Sequence, residues 1–330
     1  MGRTLLVAAI ALGGACGEAT TETPASPSAN APPPSDSSNS DGDAPPKTGK
    51  GLSQTFKEAV GGAAASKSVT LLPEGAKIVV GAEFGAVVKS ALWSAIEPRL
   101  GSRAQGQLAA ATKCGLSQDK WGRIVIGADP STNDMAMVVE AEGLGKRTTL
   151  ECLVKEIGTF TLSSDGKHLS DHTGGGIVLN DDAIAFATPR WMDGLQERID
   201  GKGKAAIDGE LKASFTRIGP NRPLWFAAVV PPDAAMMATA LLGATAKDVS
   251  AYANLNEGVA LHLSADVDDP KTAKSKVQEQ LDNSGSMLQI FGVPPAVVDS
   301  LKLTVDGALL RVEVRATEDE IRTLMKQGTL

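Results

Sequence analysis

Two stretches of this 330-residue chain carry the same succession of hydrophobic periods, and that constrains the fold more than any single motif. Alternating apolar and polar residues mark a strand, because successive side chains of an extended chain point to opposite faces; recurrence every three to four residues marks a helix. In "AKIVVGAEF", Ile78, Val80, Ala82 and Phe84 share one face of an expected strand. Val88, Leu92 and Ile96 then fall at helical spacing in "GAVVKSALWSAIEPRL", and "RAQGQLAAATKC" predicts a second helix. "WGRIVIGA" and "DMAMVVEAEG" read as strands joined by a "DPSTN" turn. "KRTTLECLVKEIG" places Leu150, Leu153, Val154 and Ile157 on one helical face, with Gly158 as the stop. Strands follow in "TFTLSS", "GGIVLN" and "AIAFATP", and "RWMDGLQERIDG" closes the first half as a helix.

The second half begins after the joint "DGKGKAAIDG". "RPLWFAAVVPP" is an apolar strand, expected to be covered on both sides at the joint between the halves. "DAAMMATALLG" is a helix with Asp233 placed to cap it, and "VSAYANLNEGVALHLSADV" is a hairpin. A helix over "DPKTAKSKVQEQLDN" brings Ala273, Val277 and Leu281 into register, and a short helix follows in "PPAVVDSL". A hairpin turns at Asp306-Gly307, and Thr317-x-x-Glu320 forms a capping box for a final helix with Ile321, Leu324 and Met325 inward. Both halves thus run strand, helix, hairpin, helix, hairpin, helix. The expected fold is α+β: two tandem repeats, over 70–201 and 202–330, with a mainly antiparallel sheet and helices packed on it. Whether the halves share one sheet or form two lobes stays open.

What precedes the repeats is of another kind. Arg3 and the amino terminus are positive, Thr4 to Leu12 is apolar, and Gly13-Gly14-Ala15 is small before Cys16. From Gly17 to Lys50 there are seven prolines and no Val, Ile, Leu, Met or aromatic residue, so the segment cannot bury enough apolar surface to offset its ordering entropy. As polyproline it would reach at most about 105 Å. "LSQTFKEAV" reads as one short helix within a 51–69 connector that includes "GGAAASKSV".

"LGGAC" resembles the lipobox of bacterial lipoproteins, with Gly13 where the usual leucine stands and Leu12 one position further back. The resemblance implies a signal peptide over 1–15, acylation of Cys16 and a Pro/Ser/Thr tether over 16–50. "LGGACG", the tether, the domain-opening "LLPEGAKIVVG" and Cys114-Gly115 before a strand together resemble uncharacterised predicted lipoproteins of Gram-negative bacteria, of the myxobacterial kind. That implies attachment to the envelope through lipid on Cys16, facing the periplasm. Gly17 stands where some bacteria use Asp for inner-membrane retention, so the analogy points to the outer membrane. No apolar run reaches the ~18–20 residues that span a bilayer.

An exported chain meets oxidising conditions, so Cys114 and Cys152 are expected to pair; two buried free thiols are the alternative. Neither cysteine has a second ligand at zinc-site spacing. The net charge of −7 argues against a nucleic-acid partner. His168 and His172, with Asp165 and Asp171 nearby, could form a His-x3-His metal site, but the glycines around them favour a solvated loop or hairpin. His262 is expected on an exposed polar face. Glu140 with Glu142, and Glu313 with Arg311 and Arg315, read as solvated sheet faces with alternating charge. No G-x-S-x-G, H-E-x-x-H or S-x-x-K…K-T-G motif is present. "TGGGIV" enters a strand, so no helix amino terminus is placed to cradle phosphate. No catalytic, cofactor or metal residue is therefore assigned. The expected function is a non-enzymatic envelope module that binds a protein partner, cell wall or apolar ligand; a hydrolase of unrecognised geometry is the alternative. The methionine-rich "DMAMVV" and "DAAMMATALL" would suit an adaptable apolar cleft, although ordinary core packing explains them more simply.

Overall fold

The computed structural model describes residues 65–219, 222–290 and 293–326. Cys16, the tether and residues 51–64 of the connector lie outside the described residues. Helix α1 (Ala65–Thr70) forms where the sequence suggests only a connector. Strand β1 (Ile78–Glu83) follows, then α2 (Phe84–Val88), α3 (Ala91–Ile96) and α4 (Ser102–Lys113). The β2 (Trp121–Asp129) and β3 (Asp134–Ala141) hairpin leads into α5 (Arg147–Ile157). Strands β4 (Thr161–Leu162), β5 (His168–Asp171), β6 (Gly174–Asn180) and β7 (Ala183–Ala187) come next, then α6 (Met192–Ile199) and α7 (Lys212–Ile218). The remainder is β8 (Leu224–Val229), α8 (Pro232–Leu242), β9 (Ala246–Asn254), β10 (Val259–Val267), α9 (Pro270–Ile290), α10 (Pro295–Asp299), β11 (Lys302–Asp306), β12 (Leu309–Ala316) and α11 (Glu318–Lys326).

The class is α+β with a large antiparallel sheet, as expected. All twelve strands among the described residues belong to one sheet, in the order β11-β12-β10-β9-β8-β1-β2-β3-β7-β6-β5-β4. The halves therefore share a sheet and meet where β1 pairs with β8. Strand β8 is central in the hydrogen-bonding direction, but its cover is unequal. Trp225 and Ala227 are buried and Val229 half-buried on one face, while on the other Ala228 is buried and Leu224 and Phe226 are half-buried.

Call the face bearing Val80, Ile124, Val139 and Ile184 the inner face, and the face bearing Val79, Val125, Val138 and Ala185 the outer face; the register keeps each set together across the strands. On the outer face α1, α6 and α7 set Val69, Leu195 and Ile218 against the sheet, with Leu211 at the cap of α7 beside them. Each of these is fully buried or nearly so, contributing roughly 1.5–3 kcal/mol relative to exposure. On the inner face α2 to α5 cover the first half, while α8 and α9 cover the second through Ala238, Leu242, Ala273 and Val277.

Local chemistry explains several ends. Gly158, at φ 70°, stops α5. The Thr317 hydroxyl and amide both donate to Glu320, while the Glu320 amide reaches back to the Thr317 hydroxyl, completing the box at α11. Asp269 accepts from the Thr272 amide and caps α9. Asp233 does not cap α8: Pro231 holds the cap position and Asp233 lies in the first turn. Helix α8 is also not core. Met236, Met237 and Leu241 are 69%, 67% and 57% exposed, because α8 lies against its neighbours through its alanines and Leu242.

Two substitutions probe this packing. A Cβ on Gly81 would sit 2.2 Å from the Trp225 ring. Gly81→Ala is expected to displace that indole and cost roughly 1–3 kcal/mol, read by denaturant unfolding. Met236→Ser with Met237→Ser, at exposed positions, should change stability by no more than about 0.5 kcal/mol each.

Candidate functional site

Helix α4 begins at Ser102 and turns Ala104, Leu108 and Ala111 toward the inner face. Its carboxyl end is closed by a tight reversal: Gly115 has φ 86°, and the Leu116 amide donates to the Ala111 carbonyl at 2.9 Å. The reversal drives Leu116 into the core, where the Trp121 indole N–H donates to its carbonyl at 3.3 Å. Helix α5 presents Leu150, Leu153, Val154 and Ile157 to the same space, as its periodicity predicts. The two helices are joined by the Cys114–Cys152 disulfide, with Cα atoms 5.6 Å apart. Lys113 and Glu156 form a 2.7 Å ion pair across the same seam; its exposed lysine makes it worth little beside the covalent link.

Beneath these helices lies a cavity of about 90 Å³. Its floor is the inner face of β2, β3, β7 and β5, through Trp121, Met137, Val139, Ile184, Phe186 and Leu169. Phe186 lies across the sheet because Gly176 opposite it has no side chain; a Cβ there would come within 2.7 Å of the ring. The roof is α4 and α5. Leaving a space of this size unfilled costs about 2 kcal/mol in lost packing, and an apolar cavity of this order stays dry while admitting small apolar molecules.

One lining residue is polar. Gln107, on the inward side of α4 between Ala104 and Ala111, has its Oε1 shielded from solvent and without a hydrogen-bond partner. Such an acceptor costs roughly 1–3 kcal/mol. Trp93 Nε1 and Asp266 Oδ1 are the other buried unpartnered side-chain atoms among the described residues, and neither residue lines the cavity. The signal for Gln107 was present in "RAQGQLAAATKC": a glutamine stands where the period calls for an apolar residue. Of "DMAMVV", Met137 is part of the cavity floor.

The other candidates lie elsewhere. His168 and His172 are exposed, one on β5 and one in the turn after it. Leu169 faces the cavity, so His168 faces away. Asp165 and Asp171 bind backbone amides of their own turns. Among the described residues no group of three His, Cys, Asp or Glu side chains is placed to hold a metal. His262 is not simply exposed: its ring stacks on Tyr252 at 4.5 Å, with the Arg222 guanidinium 4.1 Å from the Tyr252 centroid and Glu313 3.8 Å away. Arg315 donates to Glu313 at 2.8 Å, and Arg311 to Asp306 at 2.6 Å. Glu140 and Glu142 do not form a solvated pair. Glu142 is exposed beyond the end of β3, whereas Glu140 is half-buried on the outer face and accepts from the fully buried Ser68, with the Arg123–Glu83 pair beside it. Burial pushes the Glu140 carboxyl above its ordinary range, against the Ser68 hydrogen bond and the Arg123 charge; Glu83 adds to the rise.

Two expectations follow. The oxidised protein should weigh two hydrogens less than the dithiol, and Cys114→Ser with Cys152→Ser should lose about 3–4 kcal/mol in chemical denaturation, the loop-closure value for a separation of 38 residues. For Glu140, the folded chain retains a proton that the unfolded chain has released between the ordinary carboxylate pKa and the raised one. Stability therefore falls as pH climbs through that window. Glu140→Gln does not titrate, so melting temperatures should show the variant gaining on the parent as pH rises from acid to neutral.

No protein-family model matches this chain, and no curated protein does. Among solved structures, crystal form III of TP0453 aligns with a TM-score of 0.53 at 10% identity, over 81% of this chain and 99% of that one. Crystal form I of TP0453 aligns with a TM-score of 0.49 at 9% identity, over 79% and 97%. At such identity the form III likeness is one of fold: the chain is similar to TP0453 in the path of its backbone.

Proposed function

We propose that this protein is a non-enzymatic lipoprotein of the cell envelope, anchored by lipid on Cys16, that holds an apolar ligand in the cavity under α4 and α5. The observation that carries this reading is the cavity itself: apolar on every side but one, roofed by two helices and clamped by a disulfide. Neither cysteine of the bridge is free to act as a nucleophile. Among the described residues no helix is long and apolar enough to cross a membrane; attachment in this reading rests on the acyl chains, of which a single one would hold only marginally. The protein faces the periplasm, on the outer membrane.

Three measurements test it. Radiolabelled fatty acid should be incorporated by the parent and not by Cys16→Ser. In calorimetric titration of the full chain, 1-hexanol should bind, and Ala111→Phe, which places a ring in the cavity, should abolish binding; the milder Ala111→Leu should weaken it. Unchanged binding in both Ala111 variants would place the ligand elsewhere.

We also infer that the halves descend from duplication of one unit. Supporting this, the order β1-β2-β3-β7-β6 on one side of the central pair matches β8-β9-β10-β12-β11 on the other. In both halves a helix after the first hairpin covers the inner face. An experimental structure should superpose 70–201 on 202–330 along that path.

A further inference from the structure

We propose that β11 is a docking edge for a second copy of this chain, the two β11 strands pairing antiparallel about Thr304 so that the sheets of two molecules continue as one. The sheet ends in the five-residue β11 on one side and in the two-residue β4 on the other, and among the described residues no strand pairs with the free side of β11. The turn into β12 fixes which groups that side presents. Asp306 and Leu309 flank the loop Gly307-Ala308, with Gly307 at φ 60°, so they form a hydrogen-bonded pair. The same holds at every second step, for Thr304 with Arg311 and Lys302 with Glu313. The far side of β12 agrees, since the Val267 amide of β10 donates to the Ala308 carbonyl at 3.0 Å. The amides and carbonyls of Leu303 and Val305 therefore point out of the open edge.

A second copy turned about Thr304 sets Leu303 opposite the other copy's Val305 and Val305 opposite its Leu303, each pair exchanging both backbone hydrogen bonds. The side chains match in the same register. On the outer face the exposed Lys302 of each copy lies opposite the exposed Asp306 of the other. Moving the axis to Leu303 or Val305 sets Lys302 against Thr304, or Thr304 against Asp306. Parallel pairing in register sets lysine on lysine and aspartate on aspartate. An edge lysine ordinarily discourages pairing; here the two ends of the strand carry opposite charges and complement each other in one self-paired register. Asp306 already takes an exposed ion pair from Arg311 at 2.6 Å, so these charges choose the register more than they tighten it.

The test is sedimentation velocity of the full chain carrying Cys16→Ser, over a wide range of concentration. The parent should show a reversible monomer–dimer equilibrium. Lys302→Asp and Asp306→Lys each set like charges opposite one another and should raise the dissociation constant by at least about tenfold. Mixing the two variants should restore the dimer, because the acidic edge of one meets the basic edge of the other. Val305→Pro removes an outward amide while keeping the bonds to β12, and should leave monomers. Unfolding curves identify which variants are folded, and the mixing arm stands without the proline variant. A parent that stays monomeric at the highest concentration would overturn the proposal. So would a dimer that withstands a folded Val305→Pro, charge variants that dimerise as the parent does, or a mixture that fails to associate.

Discussion

The antiparallel pairing of β1 with β8 is the contact on which the rest of the molecule depends. Each half has strands enough for a sheet of its own, and either would end in an open edge there. Edge strands expose unpaired amides and carbonyls, a template for unwanted pairing. Joining the two edges satisfies both rows and yields a single sheet. The joint tolerates little change. Gly81 faces Trp225 across it, and the indole occupies the volume that any side chain at position 81 would need. Trp225 in turn meets Phe215 of α7 edge-on at 5.3 Å, so the helix that covers the outer face is packed against the same pair of strands.

A sheet joined in this way has two continuous faces, and the helices divide them unevenly. The outer face of the first half is closed by α1, α6 and α7 and contains the Ser68–Glu140 and Arg123–Glu83 contacts. These polar groups are satisfied and sit beneath packed side chains. They stabilise the layer and offer little to a substrate. Under α4 and α5 the inner face is closed less completely. Both helices are attached covalently to one another, and the space between them and the sheet is not filled. The disulfide holds that roof without needing the dense packing that would otherwise fix it, which is how an apolar void survives in a folded domain.

The lining of that void carries no titratable side chain. Acid–base and nucleophilic chemistry need titratable groups in contact with a substrate. The exposed histidines stand on the face away from the cavity or in a turn, and His262 is taken up by Tyr252 and Glu313 on the second half of the sheet. What the cavity has is shape and hydrophobicity, with Gln107 as its one polar lining residue.

Local features were legible in the sequence because their causes are local. The alternation in β2 and β3, the apolar side of α5 and its Gly158 stop, the Asp306-Gly307 turn and the Thr317–Glu320 box each depend on residues a few positions apart. The pairing of Cys114 with Cys152 followed from compartment and count. Helices α1 and α7 escaped notice because they are short and are held by Val69, Leu211 and Ile218 against the sheet more than by any signal of their own. Periodicity says which residues share a side, but not what will cover that side. Glu140 read as solvated until α1 lay over it, and the methionines of α8 read more simply as core until the helix turned them outward. By itself the sequence determined most of the longer elements and their order, but not α1, α7 or β5, nor the break that divides α2 from α3. The tertiary structure alone decided that the halves share one sheet, which faces are covered, and that α4 and α5 enclose an apolar space. Those outcomes depend on packing between residues far apart in the chain, where burial and steric fit outweigh local preference.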